Sequence, residues 1–511
     1  RQTADGSGKE IYSFKMTLYT GLRIRHTINH NLKLKIKAGR LCRKAGRVFM
    51  QLKISKYIDD HAGDMIAALS SLVAIPSVRG EAEAGMPYGK EPARALAKML
   101  EMAEKYGFTV KNHENYMGTI DFDPSKETTL GVLCHLDVVP EGTGWSNPPY
   151  TLTLAGGKLL GRGSADDKGP AVAVLFALRA LRECGYELSQ NVRFLVGCDE
   201  ECGSSDLAYY RKKESLPPRV FTPDGSFPVI NLEKGMVRGK VVKKINAGGT
   251  KTILSASGGT VVNAVPDRAY AALRGFSGEE LAAVEKAFPE GVILEYAAEN
   301  DVVNVTVKGK SAHASTPADG KNAVTALLAF LGALPTDDGT SAFFAGLSEI
   351  FRFGETDGSS LGIAASDEKS GALTFVFSVF SFDKGSFEGR FDIRFPVCRT
   401  SEKVRAGFEK AAARAGLVVD EWNGNEPHYV DENSEFIRTL LSVYTELTNK
   451  NGHCIAIGGG TYVHNVDGGV AFGAEFPGTE SRMHGADEFI SLEHLTLSAK
   501  IYAEAILRLC L

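Results

Sequence analysis

Apolar residues recur along this chain with two periods, and the switches between them outline its elements. From Glu91 the positions Leu96, Leu100 and Ala103 share one helical face, Pro92 suits the first turn, and Gly107 can end the helix. A second helix is predicted from Pro170 to about Cys184, with Gly185 as its stop. Short apolar runs at Thr129 to Cys134, Asn191 to Val196 and Arg219 to Thr222 read as strands. Strands alternating with helices predict an α/β fold, a mostly parallel sheet with helices on both faces. Ligands of such sheets bind beyond the carboxyl ends of the strands. His135, the acidic run from Asp199 and Asp224 follow closely on these three runs.

After about Gly235 the texture changes. Val241 to Ser257, Asp301 to Lys308 and Leu373 to Phe395 contain stretches rich in β-branched and aromatic residues, with helices expected from Gly278 and Lys321. This predicts an inserted α+β domain over residues 236–396, between two parts of a catalytic domain at 50–235 and 397–511. The helix from Ser401 to Ala415, closed by Gly416, could belong to either side. The apolar run Ala323 to Leu334 falls short of the roughly 18 residues of a spanning helix and is read as a buried helix.

A hydrophobic share of 43% and a charged share of 23% are those of an ordinary soluble chain. The net charge of −4 hides an asymmetry, because residues 1–49 carry a balance of +10 and the remainder −14. A nucleic-acid arm, a transit peptide, or sequence lying before a true start at Met50 are the readings of that basic extension. The last is preferred, so no nucleic-acid or membrane partner is expected, and the absence of an apolar signal core makes the cytoplasm the default. Eight scattered Cys lack a disulfide framework. Cys198 and Cys202 have three residues between them, unlike a zinc knuckle, and read as small buried hydrophobes.

The candidate chemistry lies in five clusters: CHLDVVP from Cys134, GRGSADDKGP from Gly161, GCDEECGSSD from Gly197, TPDGSFPVI from Thr222 and SRMHGADEF from Ser481. Zinc takes imidazole nitrogen and carboxylate oxygen, and two ions about 3.5 to 4 Å apart can share one carboxylate. His135, Asp166, Glu201, Asp224 and His484 fill those five places, with Asp166 as the bridge. Glu200 is left free to move protons. Asp137 can accept a hydrogen bond from the second ring nitrogen of His135 and fix its tautomer. Gly161 and Gly163 do not make a dinucleotide loop, because the full glycine pattern is absent and Asp166 and Asp167 would repel a pyrophosphate. Gly458 to Gly460 suit an unusual turn or a close backbone approach.

Taken in order, HLDVVP, GRGSADDKGP, DEE with GSSD, SAHASTP, GGGTY and MHGADEF resemble the zinc aminoacylase and carboxypeptidase superfamily, most closely its dipeptidase branch. That branch includes bacterial dipeptidase V-type enzymes and is related to carnosinases. The resemblance runs from about Met50 to the C-terminus. It implies His135, Asp166, Glu201, Asp224 and His484 as ligands of two Zn2+ ions, with Mn2+ or Co2+ as substitutes, and Glu200 as general base. The choice of Asp166 over Asp167 follows the family's D-x-K-G spacing. The resemblance also implies that the insert is a lid, that His313 stabilises an oxyanion, and that Asn263 and Arg394 bind substrate, Arg394 through a terminal carboxylate. The implied activity is hydrolysis of dipeptides with a free N-terminus by a monomer or homodimer. The alternative is an N-acyl or N-succinyl amino acid amidohydrolase. Two departures stand out: Cys134 where glycine is usual, and His464 after GGGTYV where arginine is common.

Overall fold

The strand Thr128–His135 sends Leu130, Val132 and Cys134 into one core and Leu133 into another. Alternate side chains leave opposite faces of a strand, so this near-continuous apolar run needs cover on both sides. One face is covered by the helices Ala62–Val73, Lys90–Lys105, Lys168–Glu183 and Leu492–Cys510. The other is closed by the short helix Ser205–Tyr210 and by Tyr462, Val463 and Val466. The computed structural model describes residues 51–511, so the readings made for residues 1–49 and the start at Met50 lie outside the described residues.

The strand order of this first sheet is Thr109–His113, Met117–Asp121, Asn191–Gly197, Thr128–His135, Arg219–Thr222, Gly469–Ala471, Val229–Glu233 and His428–Tyr429, with Cys454–Ile457 also paired to Val229–Glu233. Its central pairs are parallel and its flanking pairs mostly antiparallel. This is the α/β architecture expected from the alternation of strands and helices.

At Lys234 the chain leaves this sheet for a second, eight-stranded antiparallel one. Its order is Ile293–Glu299, Val302–Lys308, Arg268–Arg274, Thr252–Gly258, Thr374–Asp383, Ser386–Phe395, Gly235–Lys244 and Val418–Asn425. The helices Ala323–Gly332, Thr340–Ile350 and Ser401–Arg414 pack on one face, around Phe344, Phe377, Phe391 and Phe408. The insert therefore reaches Asn425, not residue 396. The helix Ser401–Arg414 buries Val404, Phe408, Ala411 and Ala412 in the lid core, and Val418–Asn425 pairs with Gly235–Lys244 as the sheet's edge. The apolar run at Ala323 is a buried helix of the lid, and no helix among the described residues is long and apolar enough to cross a membrane.

Candidate active site

Three neighbouring strands deliver their carboxyl ends to one spot. His135 closes Thr128–His135, Glu200 and Glu201 form a turn just after Asn191–Gly197, and Asp224 stands two residues beyond Arg219–Thr222. Two loops complete the group: Asp166 precedes the helix Lys168–Glu183, and His484 precedes the strand Phe489–Ser491. His484 belongs to a loop in which Arg482, His484 and Asp487 take left-handed φ of 57°, 61° and 56°, a conformation non-glycine residues adopt sparingly. Asp487 holds that loop by accepting from Ser146 N and Oγ, both at 2.8 Å.

The two oxygens of Asp166 face different imidazoles. Oδ1 lies 3.0 Å from His135 Nε2 and Oδ2 lies 2.9 Å from His484 Nε2. Glu201 Oε1 is 3.1 Å from the same nitrogen of His484, and Asp224 Oδ2 is 3.9 Å from His135 Nε2. Donor atoms of His135, Asp166 and Glu201 lie within 4.8 Å of one another, as do those of His135, Glu200 and Asp224. Glu200 thus sits against the cluster.

Electrostatics mark the same spot. Burial, reinforced by Asp166 and Glu201, pushes the Asp224 carboxyl up to about 7. Burial and Asp224 raise Glu200 well above the usual carboxylate range. Asp166 goes the other way: burial opposes ionisation, but hydrogen bonds from His135 and His484 outweigh it and hold the carboxyl low. Asp166 and Glu201 in turn push His484 up to about 10. Carboxylates crowd here beyond what two imidazoles can neutralise, and divalent cations would relieve that repulsion. The donor set, imidazole nitrogen and carboxylate oxygen with one carboxylate facing both ways, fits a pair of such ions.

The supports of the cluster are mostly carboxylates bonded to backbone. Asp137 accepts from Glu200 N at 3.2 Å and Glu201 N at 3.1 Å. The expected bond from His135 Nδ1 goes to the backbone carbonyl of Asp137 at 3.0 Å, with the carboxylate at 3.5 Å. Either partner holds the Nδ1 proton and turns Nε2 towards the cluster, where it would bind a cation once its own proton leaves. Asp206 Oδ2 accepts from Cys198 N, Asp199 N and Tyr462 Oη at 2.7, 2.9 and 2.7 Å. Four successive backbone N–H groups, 198 to 201, thus end on two buried carboxylates. Gly197 is required there, because a Cβ would collide with Tyr462 Oη and Asp206 Oδ2. On the other side, Glu488 accepts from Gly163 N, Ala165 N and Asp166 N at 3.0, 2.9 and 3.1 Å and pairs with buried Arg162 at 2.6 Å. Asp206, Tyr462 and Glu488 were not singled out in the sequence, although GSSD, GGGTY and MHGADEF contain them.

His313, Asn263 and Arg394 form a separate group on the lid. His313 pairs with Ala264 in a two-stranded ribbon, and the Asn263 carbonyl accepts from Ala314 N at 2.9 Å. Ser315 donates to His313 Nδ1 from its Oγ at 2.6 Å and its N at 3.3 Å. Burial and the charge of Arg394 lower the His313 pKa. Arg394, expected to grip a carboxylate from the substrate, is instead 3% exposed and forked onto Asp392 through Nε at 2.5 Å and Nη2 at 2.9 Å. Its Nη1 donates to the Gly458 carbonyl at 2.9 Å.

That last bond joins the two groups. Gly458 touches the lid, while in the same segment Thr461 binds Glu233 and the Tyr462 ring lies 6.1 Å from that of His135. A Cβ on Gly458 would come within 2.9 Å of Ser315 Cβ, so glycine permits the close approach. His464 binds Glu233 at 2.6 Å through Nδ1 and the Glu426 carbonyl at 2.9 Å through Nε2, touching the chain on both sides of the insert.

Comparisons with known proteins bear on the family and the fold. A family model described as "Peptidase family M20/M25/M40" matches residues 131–508. A Bacillus subtilis (strain 168) protein described as "Putative dipeptidase YtjP" is 35% identical over 454 residues, 87% of this chain and 97% of that protein. In fold the chain is similar to human carnosine dipeptidase 1, at 18% identity and a TM-score of 0.55 over 90% of this chain and 99% of that one. It is also similar to the di-peptidase Dug1p from Saccharomyces cerevisiae, at 16% identity and a TM-score of 0.51 over 89% and 98% of the two chains. At those identities the two solved structures speak for the fold alone. The matched residues span every donor of the cluster, and the chain belongs to peptidase family M20/M25/M40, a family of metallopeptidases.

Proposed function

We propose that this protein hydrolyses the peptide bond of dipeptides with a free N-terminus. Two Zn2+ ions would be held, one by His135, Asp166 and Asp224 and the other by Asp166, Glu201 and His484, with Mn2+ or Co2+ as substitutes. The observation that carries the reading is Asp166, whose two oxygens face the two imidazoles at 3.0 and 2.9 Å with Glu200 alongside. The description of the Bacillus subtilis relative supports the dipeptide as substrate.

When bound, such ions lower the pKa of water from 15.7 towards about 7 and polarise a carbonyl oxygen. The protein's own residues supply the rest. Glu200 takes the proton of the attacking water and passes it to the leaving amine. A carboxyl whose neighbours resist its ionisation is suited to carrying a proton between two steps. Asp137 keeps Glu200 in place by holding its backbone N–H. Both Ser315 donors point at His313 Nδ1, so the ring hydrogen sits on Nε2. The lowered pKa keeps that imidazole neutral near pH 7, ready to donate to the oxygen of the scissile carbonyl as charge develops there. Asn263, just before the same ribbon, would bind substrate, and Arg394 adds positive charge and ties the lid to Gly458.

The test is amine release from a panel of free dipeptides and matched N-acyl amino acids by the zinc-loaded protein, with a chelator control. Chelator-sensitive cleavage of the dipeptides is the expected result. Cleavage of only the blocked substrates would move the protein to the amidohydrolase reading.

A further inference from the structure

Two chain crossings, side by side, join the lid to the catalytic domain. On the way out the chain passes from Val229–Glu233 through Lys234 into Gly235–Lys244, and on the way back from Val418–Asn425 through Glu426 and Pro427 into His428–Tyr429. The crossings run antiparallel: Asn425 pairs with Met236 on the lid side and His428 with Glu233 on the catalytic side. Between those two pairs, at Lys234, Gly235, Glu426 and Pro427, the pairing of the crossings is interrupted.

His464 spans that interruption. Its Nδ1 lies 2.6 Å from Glu233 Oε2 on the outward crossing, and its Nε2 lies 2.9 Å from the Glu426 carbonyl on the return. The Glu426 carboxylate in turn accepts from Ser401 N at 3.0 and 3.2 Å, at the start of the lid helix Ser401–Arg414. On the catalytic side the segment is anchored two residues earlier, where Tyr462 donates to Asp206 at 2.7 Å. His464 thus ties the base of the lid to a firmly held stretch of the catalytic domain.

The partners decide the state of the ring. A backbone carbonyl can only accept. The Glu233 oxygens already accept from Thr461, Oε1 from Oγ1 at 2.6 Å and Oε2 from N at 3.2 Å, and among the described residues His464 is the one cation paired with this carboxylate. Both ring nitrogens therefore serve as donors, which only the imidazolium can do. The other basic groups of the hinge are turned elsewhere, His428 Nε2 to the Gly469 carbonyl at 2.7 Å and Lys234 Nζ to the Ala372 carbonyl at 2.5 Å. With side chains 8% and 2% exposed, the His464 and Glu233 pair is screened far less than a surface pair. A neutral side chain in place of His464 would leave the Glu233 charge buried and unpaired.

We propose that His464, held as an imidazolium between Glu233 and the Glu426 carbonyl, is a positioning residue for the reaction: it fixes the two crossings relative to each other and so sets where the lid delivers His313. The assignment rests on the part of His313 as oxyanion donor in the proposed reaction.

The experiment is a double-mutant cycle on the zinc-loaded full chain: kcat of wild type, His464→Gln and His464→Arg, each with and without His313→Ala, with metal content measured alongside. Glutamine keeps hydrogen-bonding groups without the charge, and arginine keeps the charge with several donors. His464→Gln should lower kcat by about 10- to 100-fold, the range for a reacting group displaced by up to about an ångström, and His464→Arg should recover most of that loss. Once His313 is removed, His464→Gln should cost less than about twofold, because residues that act through one another do not add. An equal loss in both backgrounds, or His464→Arg no better than His464→Gln, would overturn the assignment. Nitrogen NMR of the wild type needs no substitution: both ring nitrogens of His464 should carry protons at the pH of the assay, and one bare nitrogen would overturn it as well. If the wild type cleaves only N-acyl amino acids, the dipeptidase reading falls by itself, and the same cycle on those substrates still decides His464.

Discussion

The two walls of the proposed site, the metal cluster and the lid group, are built differently. On the catalytic side almost every donor is fixed from behind: Asp137 and Asp206 hold four consecutive N–H groups of the acidic turn, and Glu488 holds the loop that presents Asp166. On the lid side the His313 ring projects from a two-stranded ribbon and, among the described residues, is bonded only within its own turn, to Ser315. A cluster that must hold its donors to within a few tenths of an ångström needs rigid backing. A surface that meets variable side chains needs reach and charge more than rigidity. In the proposed reaction the cluster and its base stand on one wall and the oxyanion donor His313 on the other, less firmly backed one, so substitutions on the two walls should fail in different ways.

The sharpest break comes on the catalytic wall. Glu200→Ala should remove about 10²- to 10⁴-fold of turnover and leave the metal content unchanged, as measured by kcat together with elemental analysis. Appreciable remaining turnover would deny Glu200 the part of base. Glu488→Ala strips buried Arg162 of its partner and three N–H groups of their acceptor. Breaking a buried pair from one side costs about 3 to 5 kcal/mol, so its denaturant midpoint should fall sharply and metal binding should weaken. An unchanged midpoint would mean that the loop is held by something else.

Much of the catalytic wall is legible in the sequence because its signals are local. Apolar runs covered on both faces stand out as strands, and His135, Asp166 and Asp224 close to apolar segments are residue types that seldom lie inside without a task. The supports are harder to read. Asp206 and Glu488 act by accepting backbone N–H groups, and nothing in the sequence separates such a carboxylate from a solvated one. The lid boundary was misplaced for a similar reason. Val418–Asn425 reads VVDEWNGN, too polar for a strand until it is seen as the edge of a sheet. Arg394 is taken up by Asp392 and the Gly458 carbonyl, a tertiary fact that no spacing records.

Two further tests weigh the walls against each other. His313→Ala removes one donor to the developing oxyanion and should lower kcat by about 10²- to 10³-fold, with metal content and stability as in wild type. Chelation acts on the other wall and gives a pH signature. Asp224 titrates near 7 and His484 near 10 in the folded protein, both above their unfolded values of about 4 and 6.5. Each group therefore contributes stability that is fully present below its unfolded pKa and lost as pH rises through the folded one. Asp166, held low, has the opposite sign, but its loss falls below about pH 4. Between pH 5 and 8 the chelated protein should lose stability as pH rises, by up to about 1.4 kcal/mol per unit for each titrating group. The metal-loaded protein should stay nearly flat, and parallel profiles in urea titrations would argue against the cluster as the metal site.

The smallest effect tests the joint between the walls. Gly458 is where the catalytic segment meets the lid, and an added Cβ would stand 2.9 Å from Ser315 Cβ, with Ser315 two residues beyond His313. Backbone and ribbon must shift by some tenths of an ångström to admit the methyl group of Gly458→Ala, and such overpacking costs typically about 1 to 3 kcal/mol. The shift would also disturb the Arg394 bond to the Gly458 carbonyl. None of the cluster donors is touched, so metal affinity should be as in wild type. The loss should appear in kcat/KM, about tenfold or somewhat more, because the lid no longer brings His313 into register with the bound carbonyl. If Gly458→Ala instead weakens metal binding, the lid and the cluster are one mechanical unit, and the division of labour between the two walls is wrong.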